Sequence, residues 1–282
     1  MTEPTSTTHH TRSEPSNAED PLGQDRPHSA RICDYYLGGK TNYLVDRDVA
    51  QAVARVLPAI ETVARANRSY MQRAVRYMAE QGVRQFIDLG TGLPASPNLH
   101  EVAQAVTPDS RVIYVDNDPI VLAYADELLD TPSEDRTRCV QADVTRPDDV
   151  LAAVAAENSL DFDRPVALTL HCVLHLVPDA EQPHSLIGRL LDRLAPGSFL
   201  SLSHCTGDLA PKAWQAVIDV CAQHGICAQV RTLAEVRHLF DGLQLVEPGV
   251  VLAHHWRPDA GSSPNPLGDR QLSLYAGMAR KT

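Results

Sequence analysis

The chain has 282 residues, 43% hydrophobic but only 5% aromatic, so a sizeable core is expected and it must be mainly aliphatic. A formal net charge of −11 and a pI of about 5.5 argue against a nucleic-acid-binding domain, whose electrostatic footprint is usually basic. No stretch approaches the roughly 18 consecutive apolar residues of a membrane helix, and the N-terminus lacks the apolar core of a secretory signal, so no membrane partner and a cytoplasmic protein are expected.

Residues 1–27 are rich in Thr, Ser, Pro and charge and read as a disordered tail. Residues 28–82 read as a helical lid segment. In SARICDYYLGGKTN (29–42), the Gly38-Gly39 pair must break any helix begun before it. Helices are expected over 46–57 and 60–81, separated by Pro58. In the second, Val63, Ala66, Tyr70, Ala74, Tyr77 and Met78 recur at helical spacing.

From Val83 the pattern changes, and 83–282 reads as the main domain. VRQFIDLG is a short apolar run, a buried strand, followed by a helix over 98–106. RVIYVDND is the second strand, and Pro119 opens a helix to about residue 129. Residues 138–144 form the third strand candidate, with a helix near 148–157 behind it. PVALTLHCVLHLV (165–177) reads as a strand leading into a functional loop or short helix. A helix over 184–195 stops before Pro196-Gly197, and SFLSLSH is the fifth strand. Five alternations of strand and helix imply a parallel sheet with helices on both faces. A helix over 213–224 follows, then one in RTLAEVRHLF capped by Thr232, with Glu235 completing a capping box. LQLVEPGVV and QLSLYAGMAR supply two more strands, joined by a connection with no room for a crossover helix, so they must be antiparallel. The expected fold is α/β: a doubly wound, mostly parallel seven-stranded sheet with an antiparallel final strand and an N-terminal helical extension.

The strongest local signal is Ile87-Asp88-Leu89-Gly90-Thr91-Gly92, where a buried strand ends in an acid and a glycine-rich turn. Glycines let backbone pass close to a ligand. The turn alone is weak evidence, since it also serves dinucleotides and plain tight turns, and the third glycine of the dinucleotide fingerprint is missing. Asp116, followed by Asn117, ends the next strand, where an acid can accept hydrogen bonds from both ribose hydroxyls of a nucleoside. Asp143-Val144 ends the third, where a carboxylate can receive an exocyclic amine. Acids at strand ends are common singly. Three at successive strand C-termini describe a nucleoside pocket at the topological switch point.

These features resemble the class I methyltransferases. The resemblance implies that Asp88, Gly90, Thr91 and Gly92 face the methionine part of S-adenosylmethionine, that Asp116 with Asn117 holds the ribose, and that Asp143 with Val144 meets the adenine. The segments DYYLGGKTNY, RANRSYMQRAVRYMAEQGVRQFIDLGTGLP, RVIYVDNDPIVLAYA, VLHLVPD and HHWRP are similar to the bacterial family named S-adenosyl methyltransferase, once known as a domain of unknown function. The match runs from about Ser29 to Lys281, so 83–282 is expected to be the S-adenosylmethionine-binding domain. Thr41 before Asn42, the Ala95-Ser96-Pro97 stretch, and His171-Cys172 depart from the family's usual pattern, and bear on the substrate more than the cofactor.

Around this core lie further candidates. Tyr35, Gly38, Lys40 and Asn42 form either a lid over the methyl end of the cofactor or a helix cap and turn. Arg65, Asn67 and Arg68 either grip the cofactor carboxylate or lie on an exposed basic helix face. His171 and His175 have i, i+4 spacing, but without H-E-x-x-H and on a strand-like run they do not read as a metal pair. His171 is the candidate catalytic residue, orienting a nucleophile or removing its proton; a structural histidine is the plainer alternative, and His204 is weaker still. His254-His255-Trp256 line a substrate mouth or sit at a strand edge. The six cysteines, with no C-x-x-C, read as free thiols, and no metal site is expected. The expected activity is SN2 methyl transfer from S-adenosylmethionine to a small-molecule acceptor. The rivals are a protein that binds the cofactor without transferring methyl and, less in keeping with the glycine turn, a nicotinamide-dependent oxidoreductase.

Overall fold

The structure is a computed structural model in which residues 22–129, 136–259 and 268–282 are described. Residues 1–21 of the expected tail lie outside them. Helices α1 (Ser29–Tyr36), α2 (Leu44–Val56) and α3 (Ile60–Glu80) precede the sheet. The alternating unit follows as β1 (Gln85–Leu89), α4 (Leu99–Val106), β2 (Arg111–Asp116), α5 (Pro119–Leu129), β3 (Thr137–Gln141), α6 (Pro147–Ala156), β4 (Ala167–His171), α7 (Pro183–Asp192) and β5 (Phe199–Cys205). The chain ends with α8 (Pro211–Gln223), α9 (Leu233–His238), β6 (Gln244–Leu245), β7 (Val251–Leu252) and β8 (Leu274–Arg280).

The sheet order is β3-β2-β1-β4-β5-β8-β6, with β7 also paired to β8. Strands β1 to β5 are mutually parallel, and β8 runs antiparallel to β5 over seven residue pairs. This is the mostly parallel sheet with an antiparallel final strand that the sequence predicts. One expected strand differs: LQLVEPGVV is split into β6 and β7, because Pro248-Gly249 turns the chain and the Gly249 amide donates to the Val246 carbonyl at 2.8 Å. Both pieces pair with β8. The third strand also stops at Gln141, so Asp143 lies in the loop beyond it. The Thr232–Glu235 capping box forms, with the Thr232 amide donating to Glu235 Oε2 at 2.7 Å.

Period-two alternation in the strands builds two apolar layers. Phe86, Val112, Ala167 and Phe199 face Tyr70, Ala74 and Met78 of α3 and Trp214 of α8. Ile87, Ile113, Leu168 and Leu200 face Val150 and Val154 of α6, Ile187 of α7 and Val236 of α9. Helix α3 therefore shares one core with the sheet. Helix α1 is held by charge. Buried Arg31 lies 3.2 Å from Asp118, just past β2, and 3.7 Å from Asp46 of α2. No helix among the described residues is long and apolar enough to cross a membrane.

Candidate active site

The C-terminal ends of β1 to β5 open onto a cavity of about 550 Å³, roofed by α1, α2, α3 and α8. That volume lies in the ordinary range for small-molecule sites, roughly 300–1,000 Å³. Its lining includes Arg68, Asp88, Gly90, Thr91, Gly92, Asp116, Asn117, Asp143, Val144 and His171, which the fold brings together from five separate segments.

Asp88 is buried at the end of β1. Its two oxygens accept from the Thr169 and Thr91 hydroxyls, each at 2.5 Å. Burial raises its pKa above the ordinary carboxylate value, with the two hydroxyl bonds opposing the rise. Asp116 is raised for the same reason; its oxygens accept from the Gly92 amide at 2.8 Å and the Asp118 amide at 3.0 Å. Asp143 Oδ1 accepts from the Thr145 amide and hydroxyl, while Oδ2 takes no hydrogen bond from a described residue. Two oxygens on Asp116, each with one bond made and a second lone pair spare, suit a vicinal diol. The open oxygen of Asp143 suits an amine donor, and the buried negative charge of Asp88 suits a cation. Gly90 has φ +65, and a Cβ there would lie 2.4 Å from Val173 Cγ2, so only glycine lets the β1 turn pass beneath the loop after β4.

Arg68 lines the cavity, but its Nη2 donates to the carbonyls of Ala95 and Pro97, which pins the loop after the glycine turn. Buried Asn67 accepts a 2.6 Å hydrogen bond from the Ser203 hydroxyl. His171 Nε2 meets the Ser201 hydroxyl at 2.9 Å, and its buried Nδ1 has no partner among the described residues. Burial, reinforced by the Arg68 charge, lowers its pKa to about 3. His175 sits beyond β4 in a 3₁₀ turn, its ring edge-on to His204 rather than beside His171.

Other candidates lie elsewhere. The Tyr35 hydroxyl accepts from Gln51 at 3.4 Å on an exposed surface, and Arg65 is exposed and pairs with Glu61. Gly38 and Lys40 are exposed. Asn42 is buried and spent on the fold: its Nδ2 donates to Asp34 at 2.7 Å and its Oδ1 accepts from Arg47 at 2.6 Å. None of these five lines the cavity. For the turn after α1 the reason is Asp34, whose carboxylate packs against Gly39 and accepts from Thr41 and Asn42, closing the GGK turn on itself. The α1 segment instead presents Ile32, Cys33 and Tyr36 to the cavity. His204 is buried beneath Arg231, which donates to its Nε2 at 2.7 Å. His254 and His255 both lie against Asp269, and Trp256 is buried against Tyr70. All six cysteines are free thiols, and burial pushes Cys33 up to about 12.

Sequence reasoning did not find the apolar part of the lining, which includes Val53, Met71, Val217 and Ile226. For Val53, Met71 and Val217 the only signal was helical spacing of apolar residues, which core positions share, and Ile226 lies past the end of α8 with no periodic signal.

A parallel sheet with one antiparallel insertion, an acid and glycine turn after β1, and acids after β2 and β3 define the class I methyltransferase fold. The sequence matches the S-adenosyl methyltransferase family profile over residues 15–282, and the chain belongs to that family. Its cofactor is S-adenosylmethionine and its activity is methyl transfer. Similar solved structures include a DUF574 family protein from Streptomyces avermitilis MA-4680, 44% identical, with a TM-score of 0.88 over 93% of this chain and 100% of that one. Another, described as a candidate methyltransferase from Thermobifida fusca YX, is 37% identical with a TM-score of 0.84, over 94% of this chain and 99% of that one. No curated protein matches the sequence.

Proposed function

We propose that the protein methylates a small-molecule acceptor by a single in-line displacement. The observation that carries this reading is the meeting of Asp88, Asp116 and Asp143 on one roofed cavity. When bound, S-adenosylmethionine supplies a methyl group activated by its sulfonium, which a nucleophile displaces in line. Asp116 and Asn117 hold the ribose, and Asp143 and Val144 the adenine. Asp88 and the turn from Gly90 to Gly92 hold the amino-acid end, with Arg68 fixing the loop beside them. Helices α1 and α3 wall the cavity and hold the two reactants in line, which is most of what a positioning catalyst must do. His171 orients the acceptor as a neutral imidazole. The roof and the net charge of −11 favour a small acceptor over a nucleic acid, and a cytoplasmic setting is in keeping with the free thiols.

Calorimetric titration with S-adenosylmethionine, S-adenosylhomocysteine and NAD tests the pocket. Saturable binding of the first two and not of NAD is expected, and Asp116→Ala should weaken it. Binding unchanged in that variant would refute the assignment. Release of S-adenosylhomocysteine with an acceptor panel then tests transfer.

A further inference from the structure

The cavity is chemically divided along the sheet order. Its acids stand over β1, β2 and β3, at one side of the sheet. Beyond β4 and toward α8, the walls are Ile32, Val53, Val63, Met71, Trp214 and Val217. The charged groups facing this half are already engaged. Asp34 accepts from the Thr41 amide at 2.9 Å and from Asn42 at 2.7 Å. Arg68 is tied to the carbonyls of Ala95 and Pro97. The buried side-chain atoms of the lining without a partner among the described residues are Nδ1 of His171, Nδ1 of His175 and the indole N–H of Trp214. An anion seated here would lose its hydration with only Arg68, whose charge already acts on buried Asp88, to replace it, and a cation would find no open carboxylate in this half. An apolar body would instead remove apolar surface from water, at roughly 25 cal/mol per Å².

We infer that the chamber between α1, α2, α3 and α8 is the acceptor site, and that it takes an uncharged, predominantly apolar molecule. The inference rests on the reading of this cavity as the site of small-molecule methyl transfer. The nucleophile lies on the side of the molecule nearer β4.

Two fluorophores of one ring skeleton separate shape from charge: N-phenyl-1-naphthylamine is neutral, and 1-anilinonaphthalene-8-sulfonate is anionic. Each is titrated into the full chain with and without saturating S-adenosylhomocysteine. The neutral probe should bind saturably at one site, at least about tenfold more tightly than the anionic one. Ala64→Trp, which fills the chamber, and Ile226→Asp, which charges it, should each weaken the neutral probe about tenfold while leaving S-adenosylhomocysteine affinity unchanged; both positions are partly exposed, so the fold tolerates them. Equal or tighter binding of the anionic probe, or indifference of the neutral probe to both variants, would overturn the inference. Failure of S-adenosylhomocysteine to bind would strike the cofactor assignment instead, and the probe titrations without it would still report on the chamber.

Discussion

The hydroxyl of Tyr70 on α3 decides which nitrogen of His171, at the end of β4, carries the proton. The Tyr70 O–H donates to the Gly277 carbonyl at 2.6 Å, because a carbonyl can only accept. The Ser201 hydroxyl, 2.9 Å away, must then donate to Tyr70, and His171 Nε2, 2.9 Å from Ser201, must donate in turn. The imidazole is therefore held as the Nε2–H tautomer, with the lone pair on Nδ1.

A neutral imidazole with its pKa lowered to about 3 does not titrate near neutrality. The pH profile of kcat/KM should show no inflection from His171 between about pH 6 and 8, and His171→Gln should lower the rate without changing the profile's shape. An inflection present in the wild type and lost in that variant would make His171 a titrating base.

Asp88 trades stability for binding. Its folded-state pKa lies above 3.8, so its contribution to stability is fully present below 3.8 and is lost as pH rises through the raised value. Asp88→Asn should therefore raise the melting temperature of the cofactor-free protein at pH 7, with the gain shrinking toward pH 4. The same variant should weaken S-adenosylmethionine binding, read by calorimetry. A lower melting temperature at pH 7 would contradict the burial argument.

Gly90→Ala places a methyl group against Val173 at a positive φ. Backbone strain of this kind costs about 1–3 kcal/mol, before any displacement of the loop after β4. Both the urea midpoint and cofactor affinity should fall, whereas Gly188→Ala, in the interior of α7 where a Cβ meets nothing within 4 Å, should leave affinity near wild type and raise the midpoint.

Arg31 is the counter-charge for two buried carboxylates, whose side chains are 0% and 1% exposed. Arg31→Leu should cost about 3 kcal/mol in denaturant unfolding. Adding Asp118→Asn should recover part of that loss, and an additive double variant would show that the pair is not coupled.

The sheet was legible in the sequence because its strands are short apolar runs ending in acids and glycines, and the three carboxylates followed from those ends. The turn at 38–42 was not. Gly38, Lys40 and Asn42 carry the residue types of a ligand loop, but Asp34, four positions before Gly38, takes the Thr41 amide and the Asn42 side chain and leaves Gly38 and Lys40 exposed. The apolar chamber was equally hidden. Ile32, Val63 and Met71 recur on their helices as core residues do, and only the placement of α8 across from them leaves a space instead of a contact. The two-piece β6–β7 edge could have been read from Pro248-Gly249, since proline cannot donate to a ladder.

Tyr70 and Gly277 are 207 residues apart in the chain, and their bond joins α3 to the strand inserted between β5 and β6. Contacts of such separation form late, since the loop they close must lose its freedom before any packing repays it. The imidazole of His171 is thus fixed only when β8 enters the sheet, and a partly folded chain that already has β1 to β5 would hold Asp88, Asp116 and Asp143 in place while His171 is still free to turn.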